Sequence, residues 1–241
     1  ITEQTKALFL PNLAGSKPDW SALKCECEKI GRSDIVLIED SCDTMTYTKD
    51  SDISVISFYA SHVITAGGGG GMVMCNNKDC LNVGYAYRDW GRIGNNSEEP
   101  NERFGYSVDG IDYDYKFLYG VKGYNFKATE MQAAFGIVQM KKLDGFLKKR
   151  RSLIERYKKN LEGTEYIFPV DSAEINWLAM PLLVPSHWKR KDLLHHIENH
   201  GIQTRVFFAG NVTRHPAYRE FYSDDDKFVN SDTIMKDCFM L

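Results

Sequence analysis

Apolar residues fall in short runs at positions 7 to 10, 35 to 38, 53 to 58 and 72 to 74, rich in β-branched or large side chains and flanked by turn formers. Runs of this length predict the buried strands of a parallel sheet, covered on both faces. Between the first two, Trp20, Leu23, Cys27 and Ile30 recur at three- and four-residue steps, which places them on one face of a helix over residues 19 to 30. Strand, helix and strand make a β-α-β unit. Residues 91 to 123 are rich in Gly, Asn, Asp and Tyr, lack a period, and read as a long loop that carries function or crosses to a partner subunit. A helical pattern follows over residues 128 to 161, with Met131, Phe135, Val138 and Leu143 apolar; its Lys148-Lys149-Arg150-Arg151 run reads as a solvated face. Past Gly163 the pattern predicts a strand at 176 to 184, a helix at 189 to 200 stopped by Gly201, and a strand at 202 to 208. The expectation is an α/β protein, with a large domain over residues 1–163 and the start of a smaller α/β domain over residues 164–241. The chain opens on Ile1 in what reads as a strand already under way and stops on an apolar run, as a fragment of a longer protein would.

The 241 residues, 43% of them hydrophobic, suffice for a packed core. Thirty Lys and Arg against 33 Asp and Glu leave a formal charge of -3, which gives no basic excess for a nucleic-acid backbone. No apolar stretch reaches the ~18 to 20 residues of a membrane span, so a cytoplasmic enzyme of small-molecule chemistry is expected. Six cysteines at 25, 27, 42, 75, 80 and 238 are too scattered for a disulfide scaffold, and Cys25 and Cys27 are too isolated for a metal site. No metal is expected.

Candidate chemistry begins at Glu39-Asp40, at the carboxyl end of an apolar strand where open α/β sheets bind ligands. Taken alone, Asp40 reads first as a helix N-cap or a solvated loop acid. Further on, Ser57-Phe58-Tyr59-Ala60-Ser61-His62 leads through Ile64-Thr65 into five glycines, Gly67 to Gly71. His62 there could act as a base near neutral pH, although a histidine beside a turn is more often structural. The glycines are not followed by Lys and Ser or Thr, so they are no phosphate loop of the nucleotide-hydrolase kind.

The order of these pieces, with Gly123-Tyr124-Asn125 through Ala134, resembles the DegT/DnrJ/EryC1/StrS family of sugar aminotransferases and dehydratases over nearly the whole chain. The resemblance implies the type I fold of pyridoxal-phosphate-dependent aminotransferases, with a mixed, mostly parallel sheet, and a homodimer with a shared active site. It assigns Asp40 to the pyridine nitrogen, Ser57 to the cofactor phosphate, and Asn125 to the phosphate in the neighbouring subunit. Where transaminating members carry lysine this chain has His62, and no other lysine lies between Ser57 and the glycines. An imidazole cannot form the Schiff base that a primary amine forms. Histidine here resembles the 3-dehydratase branch, which acts on nucleotide-linked 4-keto-6-deoxyhexoses with the cofactor as pyridoxamine 5'-phosphate; His62 would be its base.

Arg88-Asp89-Trp90-Gly91-Arg92 resembles a dehydratase segment, and Arg205 and Asn211 fall in a second-domain segment whose resemblance implies contacts to the sugar or to an amino-acid carboxylate. Residues 93 to 237 contain no cysteine, whereas reductase-coupled members bind an iron–sulfur cluster through several, so no iron–sulfur cluster is expected and glutamate is the expected amino donor. Gly68 stands where the family often has Glu. A sugar aminotransferase and a non-catalytic dimeric homologue acting as a binding module are the competing expectations.

Overall fold

The structure, a computed structural model, describes residues 1–94, 98–170, 175–223 and 228–241. Two compact units emerge: residues 1–12 with 18–142, and residues 13–17 with 143–241. In the first, β1 (Ala7–Pro11) leads to α1 (Trp20–Lys29), β2 (Val36–Asp40), β3 (Ile53–Ser57) and β4 (Gly71–Cys75). The strands lie side by side in that order, β1 to β3 parallel and β4 antiparallel to β3, with Ser57 opposite Gly71. The apolar runs alone read as parallel strands, whereas the resemblance implied a mixed, mostly parallel sheet, which is what forms. The connection doubles back on itself, Phe58 N donating to Gly70 O at 2.9 Å, so the chain re-enters the sheet beside the end of β3 it has just left and β4 runs antiparallel to it.

Strand alternation divides the side chains between two faces. Trp20 and Cys27 of α1, capped by the Asp19 carboxylate on Ala22 N–H at 2.9 Å, pack with Leu8, Leu10, Ile35 and Leu37 on one of them. On the other face Phe9 is 60% and Val73 58% exposed, so the expectation of strands covered on both sides does not hold within the described residues. Asp40 and Ser57 stand on this open face. The register sets them there: Phe9 lies opposite Ile38, Asp40 opposite Val55, and Val55 opposite Val73.

After α2 (Lys78–Arg88), the segment expected as loop contains the short helix α3 (Pro100–Arg103) and a hairpin of β5 (Tyr106–Val108) and β6 (Ile111–Tyr113). Asp109 at φ 52° and Gly110 at φ 82° make its turn. The single helix expected over 128 to 161 is two: α4 (Glu130–Met140), begun by a Thr129 and Gln132 capping box, and α5 (Leu143–Asn160).

The second unit takes residues 13–17 and the chain from α5 onward, α5 having been expected in the large domain. Ile154 of α5, with Tyr157 and Leu161 beside it, joins the core of Ala14, Trp177, Met180, Leu182 and Phe239, and that shared burial draws α5 across the expected boundary. Here β7 (Pro181–Leu183), α6 (Arg190–Asn199), β8 (Arg205–Val206), α7 (Val229–Asp237) and β9 (Cys238–Met240) follow in order. The sheet runs β7, β9, β8, all antiparallel, which makes the terminal apolar run its middle strand. Among the described residues no helix is long and apolar enough to cross a membrane.

Candidate active site

Adjacent acids at the end of β2 go to opposite faces and do different work. Glu39 is fully buried on the α1 side, where its carboxylate accepts from Asn12 Nδ2 at 2.7 Å, Thr48 N at 3.0 Å, Thr48 Oγ1 at 3.0 Å and Ser51 Oγ at 3.2 Å. These bonds draw the loop of residues 41 to 51 onto the strand ends. Ser41 at its start accepts from Met45 N at 2.8 Å, and Met45 takes a φ of 55°, closing a tight turn that contains Asp43. Glu39 drew no role of its own from sequence; burial, invisible in an Ile-Glu-Asp string, separates it from Asp40.

Asp40, half-buried on the open face, accepts from Cys42 N at 3.1 Å. Burial first, and then a hydrogen bond to Asp40, push the Cys42 thiol up to about 12, which keeps it protonated and removes it as a nucleophile. The same thiol senses the charge of Asp43 and the backbone of Ser57, so these groups converge. Ser57 Oγ accepts from Tyr59 N at 3.1 Å.

His62 sits on a loop closed on Phe58, whose N–H reaches Gly70 O at 2.9 Å and whose carbonyl accepts from Ala66 N at 3.2 Å. Buried Val63, Ile64 and Ala66 anchor that loop and leave the imidazole 26% exposed. Its Nδ1 lies 3.0 Å from Oδ1 of buried Asp43, and the Tyr59 ring meets its edge at 6.2 Å. The partnership was missed from sequence, although a carboxylate three residues beyond Asp40 in the same turn was its visible signal. The glycines that follow turn left-handed at Gly67, Gly68 and Gly70, and a Cβ at 67, 68 or 69 would meet nothing within 4 Å.

Asn125 is exposed in a strip that pairs with the Arg88-to-Arg92 segment: Trp90 N donates to Tyr124 O at 2.8 Å, and Tyr124 N to Tyr87 O at 2.7 Å. Two glycines permit the approach. Gly91 has φ 92°, and a Cβ there would lie 1.8 Å from Val121 O; one at Gly123 would lie 2.1 Å from Gly91 N. Gly91→Ala is therefore expected to cost about 2 kcal/mol in backbone strain alone. A urea midpoint lowered at unchanged slope checks this.

In the second unit, Arg205 is exposed, donates to Thr204 O at 2.7 Å, and lines a cavity of about 690 Å³ with Lys189, Lys191, His195 and Lys236. Asn211 is buried; its Nδ2 donates to Asp232 at 2.8 Å and its Oδ1 accepts from Thr213 Oγ1 at 2.7 Å. With Arg214 and Asn211 donating to it, Asp232 is held down at about 2. Among the described residues no group of three or more His, Cys, Asp or Glu side chains could hold a metal ion; Asn95 to Ser97, part of the stretch read as cysteine-free, lie outside them.

A carboxylate and a hydroxyl on one sheet face, with an imidazole and a second carboxylate beside them, are a donor set suited to a cationic ring bearing a phosphate. The fold defines the class: over 100% of this chain and 64% of the other, it superimposes with a TM-score of 0.83 on the E. coli GDP-4-keto-6-deoxy-D-mannose 3-dehydratase solved with hydrated PLP bound, at 24% identity. This is the fold of pyridoxal-phosphate-dependent aminotransferases. Matching over residues 1–241, the chain belongs to the DegT/DnrJ/EryC1/StrS aminotransferase family. It is 29% identical over 261 residues to the lipopolysaccharide biosynthesis protein RfbH of Salmonella typhimurium, covering 100% of this chain and 59% of that protein. It is 30% identical over 256 residues to the dTDP-4-dehydro-2,6-dideoxy-D-glucose 3-dehydratase of Saccharopolyspora spinosa, covering 97% and 54%. The chain thus spans between half and two thirds of the length of the relatives it matches.

Proposed function

We propose that the protein of which this chain is part removes the C3 hydroxyl of a nucleotide-linked 4-keto-6-deoxyhexose with pyridoxamine 5'-phosphate as cofactor, in deoxysugar synthesis for a surface polysaccharide. The observation that carries the reading is an imidazole, partnered by a buried carboxylate 3.0 Å away, at the position where a transaminase needs a primary amine. Bound there, the cofactor supplies an amine that condenses with the sugar ketone and a ring that takes up electrons. Asp40 meets the ring nitrogen with its carboxylate and keeps it protonated. Ser57 Oγ binds the phosphate, and Asn125 binds the phosphate held by a second copy. His62 takes a proton through a ring nitrogen and returns it to the departing hydroxyl. Arg205 offers a guanidinium to an anionic group of the sugar nucleotide or to the carboxylate of the amino donor, glutamate.

Two experiments separate this from its rivals. Borohydride treatment of the intact protein with pyridoxal 5'-phosphate is expected to label no lysine; a reduced lysine adduct would show an aminotransferase instead. The absorption of the bound pyridoxamine form is expected to change when a 4-keto-6-deoxy nucleotide sugar is added, with a sugar product lighter by one oxygen atom, the two electrons coming from the cofactor amine, which leaves as ammonia and is restored by glutamate. No response in either respect would leave a non-catalytic binding module.

A further inference from the structure

We propose that Asp43 is a positioning residue that fixes the tautomer of His62, so that Nε2 is the nitrogen that moves the proton. The inference rests on the assignment of His62 as base, and the geometry adds which atom acts and why. Neutral imidazole carries one N–H, and the hydrogen bond made by one nitrogen decides the state of the other. With Nδ1 3.0 Å from the Asp43 carboxylate, which is an acceptor only when ionised, the proton belongs on Nδ1 and the lone pair on Nε2. The Asp43 side chain is 8% exposed against 26% for that of His62, so the carboxylate end of the pair is withdrawn from water and the ring reaches outward.

The carboxylate is held before any ligand arrives. Asp43 lies within the Ser41-to-Met45 turn, whose far side is tied to Glu39 through Thr48 N and Oγ1, each at 3.0 Å. Around the pair stand the Tyr59 ring edge at 6.2 Å, the Cys42 thiol and the Asp40 carboxylate hydrogen-bonded to it. Once Nε2 has taken the proton, the same carboxylate faces an imidazolium and stabilises it, the arrangement by which a buried acid supports a histidine base in acyl-transfer enzymes.

The test uses the intact protein, ¹⁵N-labelled and loaded with pyridoxamine 5'-phosphate. Long-range ¹H–¹⁵N correlations of the histidine rings report which nitrogen carries the proton, with His62 assigned through its loss in His62→Gln. The expected spectrum shows His62 protonated on Nδ1 when neutral. Asp43→Ala moves the proton to Nε2 and lowers kcat by about 10²-fold with KM little changed; Asp43→Asn, whose amide oxygen still accepts, keeps the Nδ1–H form and recovers part of the rate. An Nε2–H ring in the unaltered protein, or an Nδ1–H ring that persists in Asp43→Ala, overturns the role whatever reaction the protein catalyses. If the tautomer follows residue 43 but no sugar is dehydrated, the positioning stands and the proposed reaction falls.

Discussion

His62→Gln is expected to lower the rate of C3 deoxygenation by about 10²- to 10⁴-fold, the contribution of a positioned general base, while leaving the cofactor bound. Glutamine reaches a similar distance and its amide can still donate to Asp43, so the 59-to-66 loop, anchored by buried Val63, Ile64 and Ala66, has no cause to move. What disappears is a nitrogen that can accept and return a proton. Single-turnover product formation by the pyridoxamine-loaded variant, set against its cofactor absorption, reads both halves of the expectation. A rate within tenfold of the unaltered protein would remove His62 from the chemistry.

The second large effect lies on the opposite face of the sheet. Glu39→Ala is expected to destabilise the first unit by about 3–4 kcal/mol, on the scale of one to three for each buried polar group left without a partner. Thr48 N and Thr48 Oγ1 lose their Glu39 acceptor, while Asn12 Nδ2 keeps Thr44 Oγ1 at 3.0 Å and Ser51 Oγ keeps Thr48 O at 2.9 Å. Chemical denaturation followed by far-UV circular dichroism measures the loss. Because these bonds also fasten the turn that carries Asp43, a Glu39→Ala protein that remains folded should lose activity ahead of its unfolding transition. Equal stability of the two proteins would mean that the loop holds itself.

The sequence was most informative where one local rule governed. The Trp20, Leu23, Cys27 and Ile30 stripe placed α1 within a residue of its ends, with Asp19, expected as its first residue, serving as its cap, and Gly201, at φ 78°, marks the stop of α6. Periodicity misled where it continued through a break: Lys141 and Lys142 interrupt a pattern that otherwise suits one long helix, and the split shows only in packing. The Asp109-Gly110 pair was a legible hairpin signal inside a stretch read as loop. The direction of β4 depends on the loop of residues 58 to 70 closing on itself through Phe58 N and Gly70 O, a pairing that the apolar character of the run after it does not express. In the site, residue types and order pointed to Asp40, Ser57 and His62, whereas the work of Glu39 and Asp43 depends on burial and distance, which no spacing expresses. Asn211 illustrates the reverse: its contacts to Asp232 and Thr213 lie 21 and two residues away, and only the nearer could have been guessed.

The glycine at position 68 sets what a side chain at that point would cost. A side chain there would find open space, yet the backbone holds φ 101°, a conformation that every L-residue other than glycine resists. An acid placed here would meet no steric barrier and would still be costly, by about 1–3 kcal/mol of backbone strain. The limit on residue 68 is therefore set in the main chain and not by the space around it.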